Sequence, residues 1–300
     1  MLIRNAIVYP FTGLAPQELQ AAIDARPFNP LGAMDMEGIG FTPPVKGSPD
    51  NYRQVGDVLM ICVRKDTKIL PKSVVDAEAQ ARAEEIEEQR GFKVGPKQMR
   101  ELKELVAAEL LPKAFTRTVK VYALVDFAAG LVIINTASVG RAEETLGVLS
   151  RALRENDEWH LTAWHVNGIP GNSMTTWFRY GEEPAGFNLD DRALLVGEDS
   201  PAKVRISAQS VDDDDIRALA GGRACAELGM TYQSKVSFVL TRDLAIKRID
   251  FLDIASIEND SQVEPLPEER VDAEILLSAK EVGGLVAALD GAMGGRRVMR

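Results

Sequence analysis

Side chains able to attack a bond, ligate a metal or shuttle a proton are scarce in this chain and poorly spaced. The two histidines, His160 and His165, stand five residues apart in EWHLTAWHVNG. That spacing puts them on opposite faces of a strand and out of line on a helix. Neither is accompanied by a nucleophile motif of the Ser-His-Asp or Cys-His kind. Of the two cysteines, Cys62 lies inside the apolar run Val58–Val63 and reads as a buried, reduced thiol, and Cys225 belongs to no C-x-x-C pair. The consecutive carboxylates Asp212–Asp215 point in different directions and suit the positive end of a helix better than a common ion. Gly38-Ile39-Gly40 and Gly221-Gly222 lack the surroundings of a phosphate-cradling loop. The residues therefore predict no catalysis, no cofactor and no metal site. Trp159, Trp164, Trp177, Phe178 and Tyr180 are too poor in neighbouring cations, Arg179 apart, to form a base-stacking track, and read as core.

One kind of chemistry remains, the neutralisation of a polyanion. Net charge is −10 and the isoelectric point is near 4.9, which on average repels nucleic acid. The average conceals a segregated pattern: residues 90–120 carry a net +5 and residues 182–215 a net −7. Such a field can draw a polyanion to one surface while the rest rejects it. Arg64, Lys65, Lys68 and Lys72 surround one strand turn, and Lys113, Arg117 and Lys120 follow a helical segment. The bland reading of these cations is an ordinary solvated face. Their clustering at both roots of one protrusion favours a binding surface.

The elements that must hold these cations follow from periodicity. Leu2–Tyr9 reads as a strand, and Pro16–Ala25 as a short helix opened by proline. Val55–Val63 and Lys68–Leu70 read as strands joined by a turn at Arg64–Thr67. Ser73 is placed to cap a helix over Val74–Arg90. Pro96 opens a second helix that Pro112 ends, with Met99, Leu102, Val106 and Leu110 on one narrow stripe. Val119–Phe127 and Leu131–Thr136 form a hairpin about Ala128-Ala129-Gly130, and Arg141–Arg154 a helix. Trp159–Val166, Met174–Tyr180, Val204–Ala208 and Val271–Leu277 read as strands, with a final helix over Ala279–Leu289. Met230–Leu240 and Ala245–Leu252 read as a second hairpin turning at Thr241–Asp243. Residues 256–270 read as an acidic, proline-containing loop, and 294–297 as a frayed tail. Together these predict an α+β chain. A mixed-sheet central α/β region takes residues 1–72 and 118–180, a protruding helical finger 73–117, and a C-terminal α/β region 181–300. No run reaches the roughly 18 apolar residues of a membrane span, and the first residues do not read as a signal peptide. A cytoplasmic protein with no membrane partner is expected.

Several strings carry a family resemblance across nearly the whole chain. They are GFTPP (Gly40–Pro44), ICVRKDTKILPKSVV (Ile61–Val75), LLPKAFTR (Leu110–Arg117), DFAAGLVIINTASVGRAEETLGVLSRAL (Asp126–Leu153) and RVDAEILLSAKEVGGLV (Arg270–Val286). With them the chain resembles the recombination-associated RdgC family. The resemblance implies a nucleoid-associated, non-enzymatic protein that binds duplex DNA without sequence preference. It implies a ring-shaped homodimer with the double helix in its hole, limiting access of the RecA recombinase. Phe115 matches a residue at the dimer contact that closes the ring. Gln209 matches a glutamine on the DNA-facing side, where the family has lysines just before it. Here Ser207 and Ala208 stand there, leaving Lys203 and Arg205 as the nearest cations. The alternative is a protein-interaction module that inhibits a recombinase directly, with DNA binding secondary. A metal-dependent nuclease lacks a ligand constellation in the sequence.

Overall fold

In the computed structural model the described residues are 2–209, 213–252 and 267–297. The apolar run at Val58–Val63 is buried on both strand faces, as an unbroken run in a doubly covered strand should be. It begins β4 (Val58–Ile69), which pairs over its full length with β5 (Phe115–Asp126) from Val58↔Asp126 to Ile69↔Phe115. β2 (Glu37–Thr42) and β3 (Tyr52–Val55) share the other side of β4, end to end. β6 (Leu131–Ile134), β1 (Ile7–Thr12) and β7 (His160–Leu161) extend the sheet beyond β5 to seven strands. Leu59, Ile61 and Val63 face α1 (Pro16–Asp24) and α4 (Val139–Ala152). Val58 and Met60 face the opposite way, into a second core completed by the C-terminal helix α7 (Pro267–Ala292).

The second sheet runs β12-β11-β10-β8-β9. Its strands are β8 (Phe187–Gly197), β9 (Lys203–Ser207), β10 (Arg223–Tyr232), β11 (Val236–Thr241) and β12 (Ile246–Phe251). Its inward residues, among them Leu195, Ile206, Leu228 and Phe238, share the second core with α5 (Pro170–Tyr180) and α7. A small helix, α6 (Asp214–Ala218), begins behind an Asp213 cap. The α+β class is thus observed. The ladders of both sheets are antiparallel among the described residues, where a mixed sheet was expected.

Between β4 and β5 the chain leaves as α2 (Lys72–Arg90) and returns as α3 (Pro96–Leu110) and a short 3-10 turn, Leu111–Lys113. The pair packs through Ala79, Ala83 and Val106, its few buried side chains. Ion pairs supplement this thin seam: Lys103–Asp76 at 2.8 Å and Arg82–Glu109 at 2.7 Å. Gly91, at φ 77°, makes the left-handed stop that ends α2.

Several expected elements differ, each for a local reason. No turn forms at Arg64–Thr67, because Arg64 and Asp66 lie two apart on one face and bond each other without leaving the strand. The α2 cap is Pro71, and Ser73 lies inside the helix. Met174–Tyr180 is helical: Pro170 starts it, Gly181 stops it, and Met174, Trp177 and Phe178 share its buried side. Val271–Leu277 belongs to α7, whose buried Ile275, Ala279, Val282, Val286 and Leu289 keep a helical spacing. Trp159–Val166 contributes only the two residues of β7. Met230–Leu240 is split by the three-residue connection Gln233-Ser234-Lys235, made without glycine, with Gln233 and Ser234 at φ 49° and 57°. Residues 294–297 are docked, with Asn167 N–H donating to the Gly295 carbonyl and Arg296 paired with Asp290 at 2.7 Å. Most of the expected loop at 256–270, and Asp212, lie outside the described residues.

Candidate nucleic-acid interface

Alternation in β4 sends the three expected cations of its outer half, Arg64, Lys65 and Lys68, in different directions, while Lys72 opens α2. Opposed residues in an antiparallel pair share a face. Arg64 therefore sits with Lys120, and Lys68 with Thr116, while Lys65 and Arg117 belong to the reverse face. The single cluster expected from sequence is two half-clusters back to back.

Three of the expected binding residues are engaged within the fold. Arg64 donates to both Asp66 oxygens at 2.9 and 2.6 Å, and its guanidinium lies 4.3 Å from the centre of the Phe28 ring. These bonds raise the Arg64 pKa and hold the Asp66 carboxyl below its usual range, against the opposing effect of burial. The Thr118 hydroxyl and the Lys120 charge also favour the ionised Asp66. Lys65 pairs with Glu144 at 2.6 Å and Glu37 at 3.2 Å. Lys68 is 7% exposed and gives its ammonium to the Ala33 carbonyl. A cation already paired gains less by meeting a phosphate, because it must first surrender its partner. Arg64, Lys65 and Lys68 are structural residues in this arrangement.

By contrast, Lys72, Lys113, Arg117 and Lys120 are exposed and make no ion pair with a described residue. Topology explains the openness of the last two. β6 pairs with β5 over Ala123–Asp126, and the Asn135 amide donates to the Tyr122 carbonyl, so from Phe115 to Val121 that side of β5 is an edge. Phe115 lies at the start of this edge, 85% exposed beside half-exposed Ile69. Ile69, Thr67, Lys65, Arg117, Val119, Arg141 and Glu144 line a hollow of about 310 Å³ below it. The placement of Phe115 outside the monomer core is thereby observed.

Lys203 and Arg205 project from the outer face of β9, followed by exposed Ser207, Ala208 and Gln209. Across the same outer face the second sheet brings up Arg192, Lys247 and Arg248. Sequence reading missed these three. Arg192 stands on β8 and the adjacent Lys247 and Arg248 on β12, and only the folded sheet brings them together. Elsewhere the reactive groups are quiet. Burial pushes the Cys62 thiol up to about 11 and Cys225 to about 12. Among the described residues, no three His, Cys, Asp or Glu side chains gather as a metal site. No helix of the described residues is long and apolar enough to cross a membrane.

Fold and surface together define a two-sheet α+β protein with open cationic strands and a helical finger on an acidic body. The family model described as "Putative exonuclease, RdgC" matches residues 1–296. The Recombination-associated protein RdgC of Cupriavidus pinatubonensis is 38% identical over 282 residues, 93% of each chain. Its namesake in Cupriavidus necator is 35% identical over 302 residues, 99% of each chain. That of Herminiimonas arsenicoxydans is 32% identical, covering 96% of this chain and 95% of its own. The chain belongs to the RdgC family of recombination-associated proteins.

Proposed function

We propose that this protein binds duplex DNA without sequence preference, through phosphate contacts, as a ring-shaped homodimer that limits access of the RecA recombinase. The observation carrying the reading is the division of labour along β4 and β5. The β4 cations are consumed by the fold, whereas Lys113, Arg117 and Lys120 are left open on a chain of net charge −10. Open cations gathered on one surface of an acidic chain make a local positive field that draws a polyanion. Lys72, Lys203, Arg205 and Gln209 extend the same contact set. The bare β5 edge and Phe115 suit a second copy, which would cover an apolar side chain and an unpaired strand edge together. A self-complementary contact of this kind closes a two-fold dimer. Association with the nucleoid follows from the DNA binding.

Filter binding of homogeneous protein to duplex DNA across a salt series tests this. Neutralising about 5–8 phosphates gives a log–log slope near −4.5 to −7, at about −0.9 per contact. A flat salt dependence, or strong preference for one duplex over its scramble, refutes the reading. Binding to recombinase at full strength without DNA would instead select the direct protein inhibitor. The family description favours one second reading, an exonuclease. Release of nucleotides from linear plasmid with magnesium or manganese, lost on a single side-chain change, would establish it.

A further inference from the structure

Arg248 is the only described arginine with φ in the left-handed region, at 53°. A branched-free but long side chain has no intrinsic reason to be there, and strain of this sort persists where surrounding structure imposes it. The cause is a bulge. Ser237 opposes Asp250 and Val239 opposes Lys247, so β12 carries extra chain at Arg248 and Ile249. The N-terminal segment pins this bulge. The Ile246 and Ile249 amides donate to the Ala6 and Arg4 carbonyls at 2.9 and 2.8 Å, and the Arg248 amide donates to the Asn5 side chain at 3.3 Å. The bulge turns Arg248 into a hollow of about 220 Å³ on the outer face of the second sheet.

Arg192, Arg205, Lys247 and Arg248 line that hollow with a single carboxylate, Glu227. Glu227 is occupied by Lys247 at 3.0 Å. Arg192 has only a 3.6 Å approach from Asp191, and neither Arg205 nor Arg248 pairs with a described acid. Three arginines therefore line one space whose single carboxylate is already paired with Lys247. Guanidinium is the side chain whose planar donors match phosphate oxygens in pairs.

We propose that this hollow binds a phosphate monoester, the terminal phosphate of a DNA strand or of a nucleotide. A backbone diester carries one negative charge and continues in both directions, so it is met by cations strung along a surface. A monoester approaches two charges near neutral pH and presents three terminal oxygens. Being a chain end, it can enter a depression. The proposal deepens the DNA-binding reading by adding recognition of ends to contact along the duplex.

The test uses full-length protein and two blunt duplexes of one sequence, ending in 5′-phosphate or 5′-hydroxyl. The phosphorylated duplex should bind about tenfold more tightly, the effect of about one charged hydrogen bond. Arg248→Gly keeps the left-handed backbone accessible and should abolish the difference while leaving the hydroxyl duplex unchanged; Arg192→Gln should do the same. A nucleoside 5′-monophosphate and inorganic phosphate, each tested by thermal shift, separate the sources. A shift lost in Arg248→Gly while both duplexes bind alike assigns the hollow to free nucleotide or phosphate. Equal duplex affinities with no such shift overturn the proposal. Equal weakening of both duplexes by Arg248→Gly also overturns it, making Arg248 a backbone contact. Failure of the hydroxyl duplex to bind at all counts against the DNA reading alone, since the thermal-shift arm still decides the hollow.

Discussion

The outer halves of β4 and β5 lie side by side, both carry cations, and put them to opposite uses. β4 is flanked on both sides, by β2 and by β5, so acids from neighbouring elements reach its side chains. Glu37 comes from β2, Glu144 from α4, and Asp66 from β4 itself. β5 has a neighbour on one side only until residue 122. Its Arg117 and Lys120 find no acid to pair with among the described residues. A count of cations therefore misjudges a binding surface. What matters is how many neighbours a strand has, because each neighbour brings counter-charges as well as hydrogen bonds.

The largest expected effect separates the two strands directly. Replacing Lys113, Arg117 and Lys120 together by alanine should remove about three phosphate contacts. At about 1.5 kcal/mol each, DNA affinity falls roughly a thousandfold, and the salt slope falls by about 2.7. The matching β4 change, Lys65→Ala with Lys68→Met, should leave both quantities nearly as they were. If the two variants come out alike in affinity and salt slope, the distinction between the strands is wrong.

Next comes Phe115→Ser, which should cost about 2–4 kcal/mol at an intersubunit anchor and leave the melting of the monomer unchanged. Sedimentation equilibrium reads the first quantity and calorimetry of dilute protein the second. A loss of cooperative folding would return Phe115 to the monomer core, in conflict with its 85% exposure.

A smaller effect belongs to Asp66, whose side chain is 6% exposed against Arg64. Asp66→Asn should destabilise the fold by about 1–3 kcal/mol, since the guanidinium keeps a poorer partner. The folded carboxyl titrates below its unfolded value of about 3.9. Its contribution is therefore full above that value and is lost as pH falls through the lower folded pKa. Acid unfolding curves of the variant should lack that component below about pH 4. Smallest is Lys68→Met alone. It exchanges a buried ammonium and one hydrogen bond for an apolar chain of similar length, and thermal melting should move by less than about 1 kcal/mol. A large loss of DNA binding in that variant would reopen β4 as a contact strand.

Much was legible from residue order alone. The buried run at Val58–Val63, the proline-opened helix at Pro96, the hairpin about Gly130 and the shortage of reactive side chains are local properties, and local physics reads them. The strings shared with the RdgC family carried the kinship. The stripe on α3 also foretold a thin finger seam, since few apolar residues were available to make a thicker one. Local reading failed where neighbours decide. Met174–Tyr180 has strand-like residues, yet Pro170 and Gly181 bound it as a helix packed on β10. The turn at Gln233-Ser234 contains neither glycine nor asparagine; the pairing of β10 with β11 and the Gln233 amide donating to the Gly186 carbonyl accompany the positive φ of both residues.

The sequence by itself determined which charges this protein owns, and that its body is acidic with a basic stretch at 90–120. Tertiary structure alone decided which of those charges are open. Alternation split the cations of β4 between two faces, and the acids from Glu37, Asp66 and Glu144 then cancelled Arg64 and Lys65. Pairing order brought Arg192, Arg205 and Arg248 to one hollow from three strands. The physical reason is that a charge acts through the few ångströms around it. Distance in the folded chain is set by strand pairing, which the order of residues does not display.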